Sequence, residues 1–300
     1  MSSALFYIHA LTPIHMGTGA AVGAIDLPHS REAATRLPNI PGSGIKGVWR
    51  DQCRGSASHK SLLELLFGAS RDAEAQSRDQ GSLLLSDALL LAMPVASYVG
   101  DFAWVTSPLS LARLARERRF MGLSCPDPVG RLTAGEAQVT QGCALVHEKH
   151  LYLHELKLTA KTTSQAQAWA SLLATEVFPE DEVFKTAFID RLVIASDSDL
   201  VLLSHTAAQV PMRNALDDNK NVLPGALWSE ENMPAETLFW GTAAADTITT
   251  RDKKHPAADC LKHFTELVQG TPKLQVGGKA SVGRGVCRFV MRGGQAMETA

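Results

Sequence analysis

No two cysteines in this 300-residue chain form a C-x-x-C pair, and the five present, at positions 53, 125, 143, 260 and 287, are scattered. That argues against a zinc ribbon and against a dense disulfide framework, and suits reduced, structural thiols in a cytoplasm. Charge of one sign is lacking too, with 29 basic residues against 31 acidic ones. Any nucleic-acid surface must therefore come from local clustering of Lys and Arg, not from bulk charge. No run approaches the about 20 apolar residues of a membrane span. The stretch Met1 to Thr12 has no basic region ahead of its apolar residues, so a soluble, intracellular chain with no membrane partner is expected. No internal repeat is found. What is present is a hydrophobic content of 45%, enough at this length for a substantial core, either as one large domain or as a core with insertions.

Local patterns predict the elements. Ala4 to Leu11 reads as a strand ended by Thr12-Pro13. A long loop rich in glycine and proline follows, through Gly17-Thr18-Gly19, Ile25-Asp26-Leu27-Pro28 and on to Pro41-Gly42. Ser43 is placed to cap a helix reaching Arg54, with Ile45, Val48, Trp49 and Cys53 on the buried face and Lys46, Arg50 and Arg54 on another. A second helix, Lys60 to Phe67, stops at Gly68, and a polar loop spans Arg71 to Gly81. Ser82 to Met93 is expected as one strand with Asp87 exposed.

Further on, Ser107-Pro108 caps an Arg-rich helix to Arg119, and Pro126 to Gly135 is a loop. Leu151 to Leu158 alternates like a strand, and Ser164 to Val177 is a helix with Trp169, Leu172 and Leu173 inward. His205 to Leu227 suits a projecting hairpin or loop. A strand at Thr237 to Ala243, a helix at Pro256 to Gln269 stopped by Gly270 and a strand at Val286 to Met291 complete the chain. Without its central part, the order is strand, helix, strand, strand, helix, strand. That α+β plan is the ferredoxin-like (RRM-like) β-α-β-β-α-β arrangement, whose sheet is a frequent RNA platform.

Five stretches, read together, resemble the RAMP superfamily, and within it the backbone subunit of the type III-B (Cmr) CRISPR effector complex. They are His15-Met16-Gly17-Thr18-Gly19; Ile25-Asp26-Leu27-Pro28 with Arg31-Glu32; Ile40-Pro41-Gly42-Ser43-Gly44-Ile45-Lys46-Gly47-Val48-Trp49-Arg50; Leu227-Trp228-Ser229-Glu230-Glu231-Asn232-Met233-Pro234; and Gly277-Gly278-Lys279-Ala280-Ser281-Val282-Gly283-Arg284-Gly285. His29 departs from the pattern, standing where a more apolar or amide residue is expected.

The resemblance implies a ferredoxin-like palm in two halves, 1–94 and 237–300, the second carrying the Gly-rich loop. It also implies a helical or mixed insertion over 95–204 and a protruding thumb hairpin with its base over 205–236. Copies of the subunit would stack head to tail along a CRISPR RNA. Complementary target RNA, the large polymerase-like subunit, the small helical subunit and other RAMP subunits would be further partners. Each thumb would interrupt the guide–target duplex, and a carboxylate matching Asp26 would be needed for metal-dependent cutting at regular intervals.

The chemistry asks for little, because RNA supplies its own nucleophile in the 2′-OH. Asp26 is the candidate essential group, as metal ligand, base or positioning residue, and Mg²⁺ or Mn²⁺ suits its hard oxygens. Without the resemblance, an Asx-turn would explain the same aspartate. His15 is open to acid–base work or to a structural hydrogen bond. Glu230 and Glu231 either complete the catalytic site or form a solvated acidic pair.

Ser43, Lys46 and Arg50 fit guide-phosphate contacts at a helix N-terminus, with surface salt bridging as the plainer account. Lys279, Ser281 and Arg284 stand among glycines that allow close approach to phosphates. The spacing there is not that of a Walker A loop, so nucleotide hydrolysis is unsupported. Met212 is a candidate wedge between bases, against simple hairpin packing. Arg113, Arg116, Arg118 and Arg119 read as a solvated helix face. Two rivals remain: a non-cleaving, guide-binding scaffold, and a RAMP endonuclease that processes precursor CRISPR RNA.

Overall fold

β1 (Ser2–Ala10) is buried along its whole length, on both faces, which explains its nearly unbroken apolar sequence. In the computed structural model, which describes residues 1–19, 25–55, 59–68, 80–250 and 253–296, this strand is central to one large sheet. The first part of the chain continues with β2 (Asn39–Ile40), α1 (Gly42–Arg54), α2 (Lys60–Phe67), β3 (Leu83–Leu85) and β4 (Ala88–Ala96). The middle part comprises β5 (Phe102–Thr106), α3 (Pro108–Phe120), β6 (Glu136–Val139), β7 (His150–Leu153), β8 (Leu156–Thr162), α4 (Ser164–Val177), α5 (Glu182–Arg191), β9 (Leu192–Ala195) and α6 (Asp197–Thr206). A hairpin of β10 (Met212–Leu216) and β11 (Val222–Ser229) follows. The last part holds β12 (Leu238–Ala245), β13 (Ile248–Thr250), β14 (Lys253–His255), α7 (Ala257–Gly270), β15 (Lys273–Gln275) and β16 (Val286–Ala296).

The strand order is β15-β16-β1-β12-β4-β5-β9-β6-β8-β7. β1 lies antiparallel between β12 and β16, and β12 pairs antiparallel with β4. The middle strands continue the same sheet outward from β4 instead of building a separate one. One face carries Phe6 and Ile8 against Trp49 of α1 and Phe264 of α7. The opposite face carries Leu5, Tyr7 and Trp240 against Leu114 of α3 and Trp169 of α4. Neither face of the sheet at β1 is open to a nucleic acid. Residues of alternating direction on β1 are large and apolar on both sides, so both faces need a cover.

Several local expectations change. Pro41, not Ser43, is the N-cap of α1, and the Gly42 N–H donates to the Asp87 carboxylate at 2.8 Å, so that helix end is already served by an acid of this chain. Ser82 to Met93 is two strands, broken at Ser86 and Asp87, with Asp87 exposed as expected. Leu151 to Leu158 is a hairpin, turning through His154 at φ +50°. The Arg-rich helix is not simply solvated: Arg118 is buried and paired with Glu176 at 2.7 Å, and Arg113 binds Glu32 at 2.8 Å. Residues 71–79 of the expected polar loop, and 20–23 of the early glycine-rich stretch, lie outside the described residues.

Candidate catalytic and RNA-contacting site

Segment 228–233, running from the end of the hairpin back into the sheet, gathers the candidate residues. Ile14 and Met233 exchange backbone hydrogen bonds, each of 2.9 Å. Leu27 donates to the Ser229 carbonyl at 3.1 Å, and Glu231 donates to the Leu27 carbonyl at 2.9 Å. The Gly-rich loop joins from the other side, with the Gly278 N–H on the His15 carbonyl at 2.9 Å. Only glycine fits at 277: φ is +83° and a Cβ would lie 2.3 Å from the His15 oxygen. Local rules thus shape each loop, and strand pairing brings His15, Asp26, Glu230, Glu231 and Lys279 to one segment.

Asp26 is exposed and restrained at one oxygen. Its Oδ2 accepts from the Ser229 N–H at 2.8 Å and from the Ser229 hydroxyl at 2.9 Å, while the Asp26 N–H donates to Ser229 Oγ at 3.0 Å. The bond from the Ser229 backbone, followed by that from its hydroxyl, holds the carboxyl below the usual aspartate range, so it is ionised at neutral pH. Oδ1 has no hydrogen bond among the described residues.

His15 is buried, and its Nδ1 lies 2.8 Å from the Glu231 carbonyl. A carbonyl only accepts, so Nδ1 carries a proton, and Nε2 is the nitrogen left for another partner. Gly17 keeps the space before that nitrogen clear, since a Cβ there would stand 2.9 Å from Nε2.

The two glutamates are not a solvated pair. Glu231 binds the Arg31 guanidinium and accepts from the His29 N–H at 2.9 Å. Glu230 accepts from Trp228 Nε1 at 2.9 Å and pairs with Lys279 at 3.0 Å, with Arg213 Nε 3.5 Å from its other oxygen. Burial works to raise the Glu230 carboxyl, but the bonds from Trp228 and Lys279 outweigh it and hold it below the ordinary value. Both carboxylates are buried because each has cations of its own to face.

The expected RNA-binding residues divide. Lys46 donates to the Leu83 carbonyl at 2.7 Å, and burial, followed by the charge of Arg50, depresses its ammonium. Arg50 reaches the Phe67 and Gly68 carbonyls at 3.4 and 3.3 Å, at the C-terminal end of α2. Lys279 also lies over the Trp228 ring, 5.6 Å from its centroid. Ser43 and Ser281 are exposed, Met212 is 60% exposed at the start of β10, and Arg284 Nε is shielded without a partner among the described residues.

Sequence reading assigned no role to Ser229, Arg31 or Trp228, although all three fall within the quoted motifs. Ser229 meets Asp26 and Arg31 meets Glu231 from about 200 positions away, and Trp228, which bonds Glu230 two residues on, also lies under the distant Lys279, so local spacing announces little of this. His29, the departure from the family pattern, accepts the Met16 N–H on Nδ1 at 3.2 Å. Its Nε2 is buried without a partner among the described residues.

A model of the RAMP superfamily matches residues 7–288. The chain is 27% identical over 306 residues to the CRISPR system Cmr endoribonuclease Cmr4 of Pyrococcus furiosus, covering 97% of this chain and 96% of that protein. It is 25% identical over 306 residues to the CRISPR system CMR subunit Cmr4 of Saccharolobus solfataricus, with 94% of each covered. Its fold is similar to that of oligomeric Cmr4 from Pyrococcus furiosus, with a TM-score of 0.72 and 22% identity over 97% of this chain and 98% of that one. A chain in the structure of the type III-B Cmr-beta complex bound to cognate target RNA gives a TM-score of 0.73 at 17% identity, covering 96% of both.

Proposed function

We propose, since the chain belongs to the RAMP superfamily, that it is the guide-RNA-binding backbone subunit of a cytoplasmic type III-B (Cmr) CRISPR effector and cleaves guide-paired target RNA at regular intervals. The observation that carries this reading is a single exposed carboxylate, Asp26, held at one oxygen and open at the other, in a chain alike over 97% of its length to an endoribonuclease of that system. The order β16-β1-β12-β4 supports reading the core as a ferredoxin-like palm. The exposed β10–β11 hairpin would be the thumb.

In the reaction, the 2′-oxygen of the target bonds to the adjacent phosphorus, its proton passes to a base, and the bond to the 5′-oxygen of the next nucleotide breaks. Asp26 Oδ1 would take one of two roles, accepting or positioning the 2′-OH proton or holding a metal ion, and His15 Nε2 would be available for proton transfer. Among the described residues no group of three His, Cys, Asp or Glu side chains could hold a metal. One open carboxylate oxygen would suit at most a divalent ion that this chain does not enclose by itself. Asp26 would hold such an ion, Mg²⁺ or Mn²⁺, which when bound would stabilise charge on the phosphate and leaving oxygens.

Glu230 and Glu231 hold the framework in this reading, and do not touch RNA. Guide phosphates would meet Ser43 at the start of α1 and Ser281 and Arg284 in the Gly-rich loop, while Lys46, Arg50 and Lys279 shape those surfaces. Met212 would face the paired bases.

The test is cleavage of a labelled complementary RNA by the reconstituted, guide-loaded complex with Mg²⁺, comparing wild type and Asp26→Ala at matched guide binding. Regularly spaced products should vanish in the variant. Their persistence would make the chain a non-cleaving scaffold, and metal-independent cutting of a repeat hairpin by the isolated subunit would make it a precursor-processing enzyme.

A further inference from the structure

We propose that Ser229, at the root of the β10–β11 hairpin, is the positioning residue for Asp26 and makes the geometry of the cleaving carboxylate depend on how that hairpin is seated. The inference rests on the proposed function, in which Asp26 is the essential group.

Ser229 is 5% exposed, whereas Asp26 lies on the surface. The serine is therefore the fixed partner of the two. Its N–H and hydroxyl both donate to Asp26 Oδ2, and its Oγ accepts the Asp26 N–H. Main chain and side chain of one residue are thus bound to main chain and side chain of the other. An exposed aspartate would otherwise exchange among staggered rotamers, and these contacts select one and leave Oδ1 free for RNA. No other described residue hydrogen-bonds the Asp26 side chain.

Ser229 is also the last residue of β11, and its cross-strand partner is Met212, the exposed residue at the start of β10. One antiparallel pair therefore separates the side chain that would face the bases from the one that orients the carboxylate. Of the flanking residues, Glu231 is held from outside the hairpin by Arg31 and the His29 N–H, whereas Glu230 joins the hairpin residues Trp228 and Arg213 to Lys279 of the Gly-rich loop. A shift of the hairpin root is then passed to Asp26 through Ser229, while Glu231 keeps its own partners. Cleavage becomes conditional on a hairpin seated against its RNA.

The experiment uses guide-loaded complexes carrying wild type, Ser229→Ala or Asp26→Ala at matched guide occupancy. Single-turnover cleavage of saturating target with Mg²⁺ is measured alongside target affinity. Ser229→Ala, which keeps the backbone bond and loses the hydroxyl, should slow cleavage by about tenfold with target affinity unchanged. If Ser229→Ala fails to assemble, Ser229→Cys takes its place, since a thiol of similar size donates only weakly. A wild-type rate in the serine variant, or a loss of affinity as large as the loss of rate, overturns the inference while Asp26→Ala remains inactive. Cleavage that survives Asp26→Ala overturns the proposed function and this inference with it.

Discussion

At the scale of single residues, burial decides which titratable groups matter. His29 has lost its water, and burial, with the charge of Arg31 and the neighbouring His15, pushes its pKa down to about 3. Between that value and the ordinary 6.5, the unfolded chain binds a proton that the folded chain refuses. The His29 contribution is therefore complete above pH 6.5 and is lost as the pH falls through that window. We expect wild type to lose up to about 1.4 kcal/mol more stability than His29→Asn for each pH unit below 6.5. Urea midpoints at neutral and mildly acid pH give the measurement, and parallel losses in both proteins would refute it. Asparagine keeps an acceptor for the Met16 N–H. Asp26 and His15 are legible as candidates through the resemblance of their stretches to the RAMP pattern, whereas Ser229 is not, because a serine between a tryptophan and a glutamate carries no signal until its partner is known.

At the scale of elements, periodicity located α1, α2, α4 and α7 to within a residue or two, since each buries one apolar face. The caps were harder to read. An acceptor for the first turn of α1 comes from Asp87, 45 positions away, and not from a residue beside the helix. Asp87→Ala should cost about 1 kcal/mol in urea or thermal unfolding, as loss of a helix cap does. Ser43→Ala should cost less, because the Ser43 side chain is exposed and does not cap. The hairpin of β7 and β8 reads as one strand in the sequence because its turn uses His154 in a left-handed conformation instead of the usual Gly or Asn.

At the scale of the whole molecule, a buried polar knot fastens the middle part to β1. Arg118 of α3 and the Tyr7 hydroxyl both donate to Glu176 Oε2 of α4, at 2.7 and 2.6 Å, and Arg118 also binds the Ser124 carbonyl. Burial, then the Glu176 charge, raises the Tyr7 phenol far above its ordinary value, so it remains a donor. Arg118→Met leaves Glu176 without its cation and should destabilise the protein by about 3 kcal/mol, while Arg118→Met with Glu176→Met should recover part of that loss. Chemical denaturation of the single and double variants decides it, and equal stability of the single variant and wild type would refute it.

By itself, the sequence determined α1, α2, α3, α4 and α7, the outlines of β1, β12 and β16, and the glycine- and proline-rich loops that carry the candidate side chains. These depend on periods of two and 3.6 residues and on where glycine and proline stand, all of which are local properties. Tertiary structure alone decided that the sheet is covered on both faces, that Glu230 and Glu231 are buried among cations, and that Asp26 meets a serine 203 positions away. Strand order creates those meetings. Pairing distant segments depends on the sum of many contacts across the sheet, and no spacing within a single segment encodes it.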